Sequence, residues 1–206
     1  MRGGGKLDEA WHQAGFQATK ANTWKDFIAC AGHLITHKCT SAQRLAGGGG
    51  SAGGILIGRA IEERPELFAA ATAAVTMTDT VRVETTSNGV PNIPEFGSVK
   101  TEAGFRALYA MSAYANVKDD VKYPAFLVTT GINDPRGDAW MAAKFAARLQ
   151  AASSSGKPVL LRVDYAAGHG FGSSMDQRLA QIADMVSFDL WQTRDPDFQS
   201  GKIAER

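Results

Sequence analysis

A chain of 206 residues, 44% of them hydrophobic, has the size and composition of one globular domain. Its net charge of +1 gives no electrostatic basis for binding nucleic acid or an anionic membrane. No stretch approaches the roughly 20 apolar residues that a membrane span needs.

The two cysteines bear on the cellular compartment. Cys30 and Cys39 are both predicted on one helix, where nine positions separate them by roughly 13 Å. That distance is too large for a disulfide bond. Free thiols are typical of a reducing compartment, and the first residues show no apolar segment of a secretory signal. We therefore expect a cytoplasmic protein.

The first half of the chain predicts two helices and two strands. An apolar stripe at helical spacing predicts a helix over 23–37. A short strand over 44–46 leads into a glycine turn over 47–50, and a helix follows over 51–63. The apolar run over 68–75 predicts the next buried strand.

The second half opens with an irregular segment and then becomes regular. Residues 78–122 predict an insertion that contains one helix, over 102–111. Buried strands then alternate with amphipathic helices, predicted in chain order at 124–131, 138–151, 158–163 and 174–192.

The alternation of strand and helix predicts an α/β fold. We expect a mostly parallel sheet of about four strands with helices on both faces. The pattern indicates a single domain over 1–193, followed by a polar tail over 194–206 that we expect to be frayed.

One serine, one aspartate and one histidine suggest nucleophilic catalysis. Ser51 is the central residue of a G-x-S-x-G motif over 49–53, Asp134 follows a predicted strand, and His169 follows the last strand. This order along the chain is the order found in α/β-hydrolases. Because parallel strands end at the same edge of a sheet, we expect the three side chains to meet there.

Each member of the group has a chemical role. Ser51 is the predicted nucleophile, His169 the base that takes its proton, and Asp134 the acid that orients the imidazole. The backbone N–H of Ala52, at the start of the following helix, is the expected first donor to the oxyanion.

The glycines around the serine suit a strained turn. A serine at such a turn needs neighbours with almost no side-chain bulk, so Gly49 and Gly53 are expected to be required, while Gly50 and Gly54 add slack. A glycine-rich turn before a helix could also hold a phosphate. The absence of a G-x-x-x-x-G-K-[ST] motif makes that alternative the weaker one.

Other candidate site residues are less specific. His33 and His37 have a spacing that metal sites use, but no acidic third ligand accompanies them, so we expect neither a metal nor another cofactor. Arg136, two residues after Asp134, is either a surface residue or a contact to a substrate carbonyl or carboxylate.

Four stretches of the sequence resemble one enzyme family. They are Arg2-Gly3-Gly4-Gly5 with Trp11-His12 and Gly15, Thr40-Ser41 with Arg44-Leu45 and the glycines around Ser51, Asp134-Pro135-Arg136, and Gly168-His169-Gly170. Together they resemble the catalytic domain of the prolyl oligopeptidase family of serine peptidases, from Arg2 to about Gln192. The resemblance implies an α/β-hydrolase fold, Ser51 as nucleophile, His169 as base, Asp134 as orienting acid and Arg136 as a contact to the substrate carbonyl.

The sequence also departs from that family's pattern. Family members carry an N-terminal β-propeller and sheet strands before the Arg-Gly-Gly-Gly segment, so we expect a truncated α/β-hydrolase domain. The family's second oxyanion donor is a tyrosine hydroxyl from those strands. Water, Tyr109, Tyr114 or a neighbouring subunit would have to replace it. The family's proline-stacking tryptophan would fall near Asn92, a candidate substrate contact, and the residue after the serine, often asparagine, is Ala52.

These observations favour a carboxylesterase that acts on small, short-acyl esters through an acyl-enzyme. A serine-type oligopeptidase acting on short peptides is the first alternative. A non-catalytic fragment that needs a partner chain to supply the early strands is the second. We also expect a homo-oligomer that forms through the exposed N-terminal side of the sheet.

Overall fold

A four-stranded parallel sheet organises the molecule. The computed structural model describes residues 1–170 and 173–199. Within those ranges the strands are β1 (Ala46–Gly50), β2 (Ala70–Ala74), β3 (Ala125–Gly131) and β4 (Val159–Asp164). They lie in the order β1-β2-β3-β4, and each neighbouring pair is parallel. The predicted α/β fold is confirmed.

Helices cover both faces of this sheet, as predicted. In the described ranges they are α1 (Glu9–Gln13), α2 (Ala21–Thr36), α3 (Gly53–Glu63), α4 (Gly89–Phe96), α5 (Glu102–Met111), α6 (Ala113–Asn116), α7 (Ala139–Ala152) and α8 (Met175–Gln192). The helices α3 and α7 lie on one face, with α2 packed on α3, and α8 lies on the other. None of them combines the length and apolar character of a bilayer-spanning helix.

The strands divide the core into two parts. Successive residues of a strand point to opposite faces. Phe126 and Val128 of β3 pack with Phe145 of α7 in the larger cluster, which also buries Trp24 of α2. Leu127, between the first two, packs with Phe188 of α8 on the opposite face. A continuous apolar strand such as β3 is expected where helices cover both faces.

The helix α2 differs from its prediction at its C-terminal end. It ends at Thr36, and Lys38 then adopts a left-handed conformation with φ +57°. The N–H groups of Lys38 and Cys39 donate to the carbonyls of Ile35 and Leu34, the pattern of a Schellman cap. The prediction that both cysteines lie on one helix was therefore wrong for Cys39. Both thiols are free, as expected, and the structure shows both cysteines exposed.

The strand β1 lies later in the chain than predicted. The predicted strand covered 44–46 and was followed by a glycine turn, whereas β1 extends through Gly50 and pairs along its whole length with β2. The close approach of α3 explains the glycine at position 49, because a Cβ there would lie 2.2 Å from the carbonyl oxygen of Gly53. The strand β1 lies at the edge of the described sheet, on the side where we expect self-association. That association stays a prediction.

The segment over 78–122 is more helical than expected. The helix predicted at 102–111 is confirmed, and α4 and α6 are additional; α4 forms although Pro94 lies within it. The buried Asp79 accepts a hydrogen bond from Lys144 of α7 at 2.7 Å, which fastens the start of the segment to the core.

The C-terminal tail is partly ordered. Pro196–Phe198 form a 3₁₀ turn, and Gln199 donates to the carbonyl of Trp191 in α8 at 3.1 Å. The predicted fraying is therefore wrong for this part of the tail, and residues 200–206 lie outside the described residues. The single domain over 1–193 stays a prediction.

Candidate active site

Ser51 occupies a sharp turn between β1 and α3. Its backbone has φ +53°, a left-handed conformation that is uncommon for residues other than glycine. Its N–H donates to the carbonyl of Ala74 at 2.9 Å, and its carbonyl accepts from the N–H groups of Gly54 and Met77 at 2.9 and 3.0 Å. Three backbone hydrogen bonds therefore hold the serine in this conformation.

The glycines of the motif are not equally required. A Cβ at Gly49 would lie 2.2 Å from the carbonyl oxygen of Gly53, so position 49 admits only glycine without backbone movement. A Cβ at Gly53 would meet no atom within 4 Å. At Gly54 it would lie 1.6 Å from Thr76 Oγ1. The expectation that Gly53 is required and Gly54 only adds slack was wrong, because the close packing falls one residue later.

The structure brings Ser51, His169 and Asp134 into contact. His169 Nε2 lies 3.0 Å from Ser51 Oγ, and His169 Nδ1 lies 2.9 and 2.8 Å from the two carboxylate oxygens of Asp134. The imidazole is 7% exposed and the Asp134 side chain is fully buried. This geometry allows a proton to pass from the hydroxyl to Nε2 while the carboxylate holds Nδ1.

Backbone N–H groups fix the orienting carboxylate. Asp134 Oδ1 accepts from the N–H groups of Arg136 and Gly137, each at 2.8 Å. A Cβ at Gly137 would lie 2.8 Å from the carbonyl oxygen of Val75, so this turn packs tightly against the end of β2. The two hydrogen bonds therefore fix the buried carboxylate in the position from which it contacts His169 Nδ1. The role of Gly137 was not predicted from the sequence, although the run Asp-Pro-Arg-Gly was an available signal.

A strained residue lies between the nucleophile and the acid. Val75 has φ +46°, a conformation rarely adopted by a β-branched side chain. Its N–H donates to the carbonyl of Thr129 at 2.8 Å. The chain bends at Val75, and two residues later the N–H of Met77 donates to the carbonyl of Ser51.

The remaining predicted site residues have separate surroundings. Arg136 is exposed and contributes its backbone N–H to Asp134. Asn92 is half-buried on α4, where its amide donates to the carbonyl of Asn88 at 2.8 Å. Tyr109 is exposed on α5 beside Phe105. Their contacts to a substrate stay predictions.

Tyr114 is the other tyrosine suggested as an oxyanion donor. Its ring packs against the core below the ammonium group of Lys144, which lies 4.0 Å from the ring centre. The N–H of Ala52 has no hydrogen-bond partner among the described residues, so it is available to an oxyanion.

His33 of α2 and His37, the C-cap residue of that helix, contact each other. The rings of His33 and His37 lie 3.9 Å apart, and His37 Nδ1 lies 2.9 Å from the carbonyl oxygen of His33. The described part of the chain contains no group of three side chains suited to hold a metal ion.

Two depressions differ in their relation to the triad. A cavity of about 240 Å³ lies directly beside the nucleophile turn, lined by Ala52, Gly53, Ile55 and the N-terminal residues 1–4. A larger groove of about 910 Å³ lies between β4 and α8, where apolar residues such as Leu160 and Phe188 line it. Of these two, only the smaller cavity includes residues next to Ser51.

A parallel sheet, a serine in a strained strand-to-helix turn and a His–Asp pair at the ends of later strands define the α/β-hydrolase arrangement. Within that class, the sequence pattern of the prolyl oligopeptidase family matches residues 1–195, and the chain belongs to this family. The resemblance noted in the sequence is thus confirmed.

Individual relatives agree with this assignment. The chain is 35% identical over 193 residues to the prolyl endopeptidase of Elizabethkingia meningoseptica, an alignment that covers 93% of this chain and 27% of that protein. It is 34% identical over 193 residues to protease 2 of Moraxella lacunata, covering 92% of this chain and 28% of that protein. A solved structure from a study of two prolyl endopeptidases superposes with a TM-score of 0.90 at 38% identity, covering 96% of this chain and 29% of that one. The chain thus spans little more than a quarter of the length of these relatives.

Proposed function

We propose that this chain is a serine-type peptidase that cleaves short peptides through an acyl-enzyme. The observation that carries the proposal is the continuous contact from Ser51 Oγ through the imidazole of His169 to the carboxylate of Asp134. Such a chain of contacts activates a hydroxyl that is otherwise a weak nucleophile.

The geometry assigns one role to each group in the first half-reaction. Ser51 Oγ forms a bond to the carbonyl carbon, and its proton passes to His169 Nε2. The tetrahedral intermediate then collapses, the C–N bond breaks, and the leaving amine takes the proton from Nε2. Asp134 stays ionised and stabilises the imidazolium.

Water completes the reaction in the second half. His169 Nε2 takes a proton from water, the resulting hydroxide attacks the acyl carbon, and the bond to Ser51 Oγ breaks as the proton returns to that oxygen. In both halves the negative oxygen is stabilised by the N–H of Ala52, at the N-terminus of α3.

The comparisons favour peptides over esters as substrates. The relatives named above are a prolyl endopeptidase and a protease, whereas the loss of the family's second oxyanion donor led us to expect a carboxylesterase. Serine peptidases also cleave activated esters, because both reactions pass through an acyl-enzyme. Turnover of an activated ester can therefore be used to assay the triad, although the proposed substrates are peptides.

A preference for proline is not part of the proposal. The residue where the family would place a ring that stacks on proline is Asn92, whose amide is engaged with its own helix. The exposed Arg136 is the proposed contact for a substrate carbonyl or carboxylate, since a guanidinium can donate to a carbonyl oxygen and can form two parallel hydrogen bonds with a carboxylate.

Replacing Ser51 with alanine tests the proposal. We expect S51A to lose turnover of a p-nitrophenyl ester and of a peptide amide by about 10⁴-fold or more. A fluorophosphonate probe should label the wild-type chain at Ser51, as mapped by mass spectrometry. The matched control is Ser41→Ala, because Ser41 is half-buried and its side chain makes no capping hydrogen bond.

The result also distinguishes the alternatives. Unchanged turnover in S51A would refute the proposal. Turnover of the ester without turnover of any peptide amide would restore the carboxylesterase. A folded wild-type chain that neither turns over substrate nor reacts with the probe would favour the fragment that needs a partner chain.

A further inference from the structure

We infer that Asp164 is a positioning residue for the catalytic base, because its carboxylate fixes the loop that carries His169. The inference rests on the proposed function, in which His169 acts on Ser51. Asp164 is the last residue of β4, and the loop reaches His169 five residues later.

The loop has no regular structure that would hold it. Residues 165–168 belong to neither a helix nor a strand. Asp164 Oδ1 accepts hydrogen bonds from the N–H groups of Ala166 and Ala167, each at 2.9 Å. One carboxylate oxygen at the end of a strand thus ties down two successive amides of the loop, as an aspartate does in an Asx turn.

The same loop is joined to the segment that carries Asp134. The carbonyl of Asp164 accepts from the N–H of Ile132 at 2.9 Å, and the carbonyl of Ala167 accepts from the N–H of Asn133 at 3.2 Å. The side-chain amide of Asn133 also donates to the carbonyl of Tyr165, at 3.3 Å. The distance between base and acid therefore depends on the conformation that Asp164 imposes on the loop.

Packing leaves little room for a second loop conformation close to this one. A Cβ at Gly131 would lie 2.3 Å from the carbonyl oxygen of Ala167, so the loop passes directly over the end of β3. Because the backbone of β3 blocks movement toward the sheet, a loop that has lost the two hydrogen bonds of the Asp164 side chain would shift away from it. Such a movement would carry the imidazole of His169 away from Ser51.

Asp164 acts here as a hydrogen-bond acceptor. Its second oxygen lies 3.9 Å from Arg162 Nη1, whereas Arg162 Nε donates to Asp184 at 2.5 Å, so Asp184 is the nearer partner of that guanidinium. An asparagine at 164 would keep an oxygen able to accept from both amides, while alanine would not. Comparing the two substitutions therefore distinguishes the effect of losing the hydrogen-bond acceptor at position 164 from the effect of losing its negative charge.

The first experiment compares D164A with D164N in the 206-residue chain, well below the melting temperature of each variant. We expect D164A to lower kcat by about 10- to 100-fold, because small misplacements of a catalytic group have effects of this size. KM should stay within about threefold of the wild type, and D164N should keep kcat within about threefold. Asp184→Ala is the matched control, since it removes the nearby exposed pair with Arg162 and leaves the loop amides bonded.

The second experiment does not depend on turnover. In D164A the amides of Ala166 and Ala167 should exchange with solvent faster, and the downfield proton signal of His169 Nδ1–H should weaken. Both should stay near the wild-type values in D164N. A general loss of stability would not by itself produce this local pattern.

The results that would overturn the inference are specific. They are a wild-type kcat and unchanged amide exchange in D164A, or equal losses in D164A and D164N. A wild-type chain without Ser51-dependent turnover would instead refute the proposed function. The exchange and imidazole measurements would then still decide the positioning role.

Discussion

Replacing Gly49 with alanine should damage both fold and activity, whereas replacing Gly53 should damage neither. The two glycines are equivalent in the G-x-S-x-G pattern but not in the structure. The new methyl group at 49 would lie 2.2 Å from the carbonyl oxygen of Gly53 and 2.7 Å from its carbonyl carbon. Both atoms are backbone, so no side chain can rotate to make room.

The size of the effect follows from the distance. Ordinary contacts begin near 3.4 Å, so β1 and the start of α3 must separate by about 1 Å. Inserting a methyl group into packed structure costs about 1–3 kcal/mol. For a chain of this length that cost lowers the melting temperature by roughly 2–12 °C. Because Ser51 lies between the two elements, a displacement of about 1 Å should also lower kcat by about 100-fold.

Thermal unfolding and ester turnover measure the two effects separately. G53A serves as the control, since its methyl group meets no atom within 4 Å and alanine favours the helix that begins there. We expect its stability to stay equal or to rise by up to about 1 kcal/mol, and its kcat to stay within about threefold of the wild type. Equal losses in G49A and G53A would contradict the reasoning.

Two further predictions concern stability. Burial raises the pKa of Glu62 to about 8 although the Arg59 guanidinium lies beside it. Stability is therefore highest below about pH 4.5, where Glu62 is protonated in both the folded and the unfolded chain, and it is lost as the pH rises through about 8. Urea unfolding at about pH 6 and about pH 9 should show a lower free energy of unfolding at the higher pH in the wild type and not in E62Q. An equal change with pH in the two proteins would count against the prediction. Replacing Lys144 with methionine leaves the buried Asp79 carboxylate without its 2.7 Å partner and should lower the free energy of unfolding by about 3 kcal/mol. Chemical denaturation should show a change within about 0.5 kcal/mol for the control K100M, whose ammonium is exposed; a similar change in K144M would refute the prediction.

The parts of the fold with strong apolar patterns were predictable from the sequence. The strand β3 is a continuous run of large and β-branched residues, and its bounds were predicted to within one residue. The contact between Ser51 and His169 was also predicted, because residues that follow parallel strands must share an edge of the sheet.

The parts governed by glycine and by single turns were not predictable in the same way. A run of four glycines has no strand propensity, and only the approach of α3 and the pairing with β2 make it a strand. The end of α2 before Cys39 depends on Lys38 adopting a left-handed conformation, which its side chain does not favour. The helix α4 forms in spite of Pro94, against the usual preference.

The role of Asp164 was missed for a related reason. An aspartate at the end of a strand is common in sequences, and its bonds to Ala166 and Ala167 become evident only when the loop geometry is known. The spacing of two and three residues is the signal that could have suggested an Asx turn.

The order of the strands has one more consequence for the protein. The nucleophile follows β1 and the base follows β4, so the strands that lead to the two reacting groups lie at opposite margins of the described sheet, roughly 14 Å apart, and the segments after them bring the side chains together. Reactivity of the serine hydroxyl thereby reports on the integrity of every strand between those margins. If either outer strand separated from the sheet, the serine would lose its contact with the histidine while most of the helices stayed folded. Loss of reactivity of the serine would then be the earliest sign of unfolding.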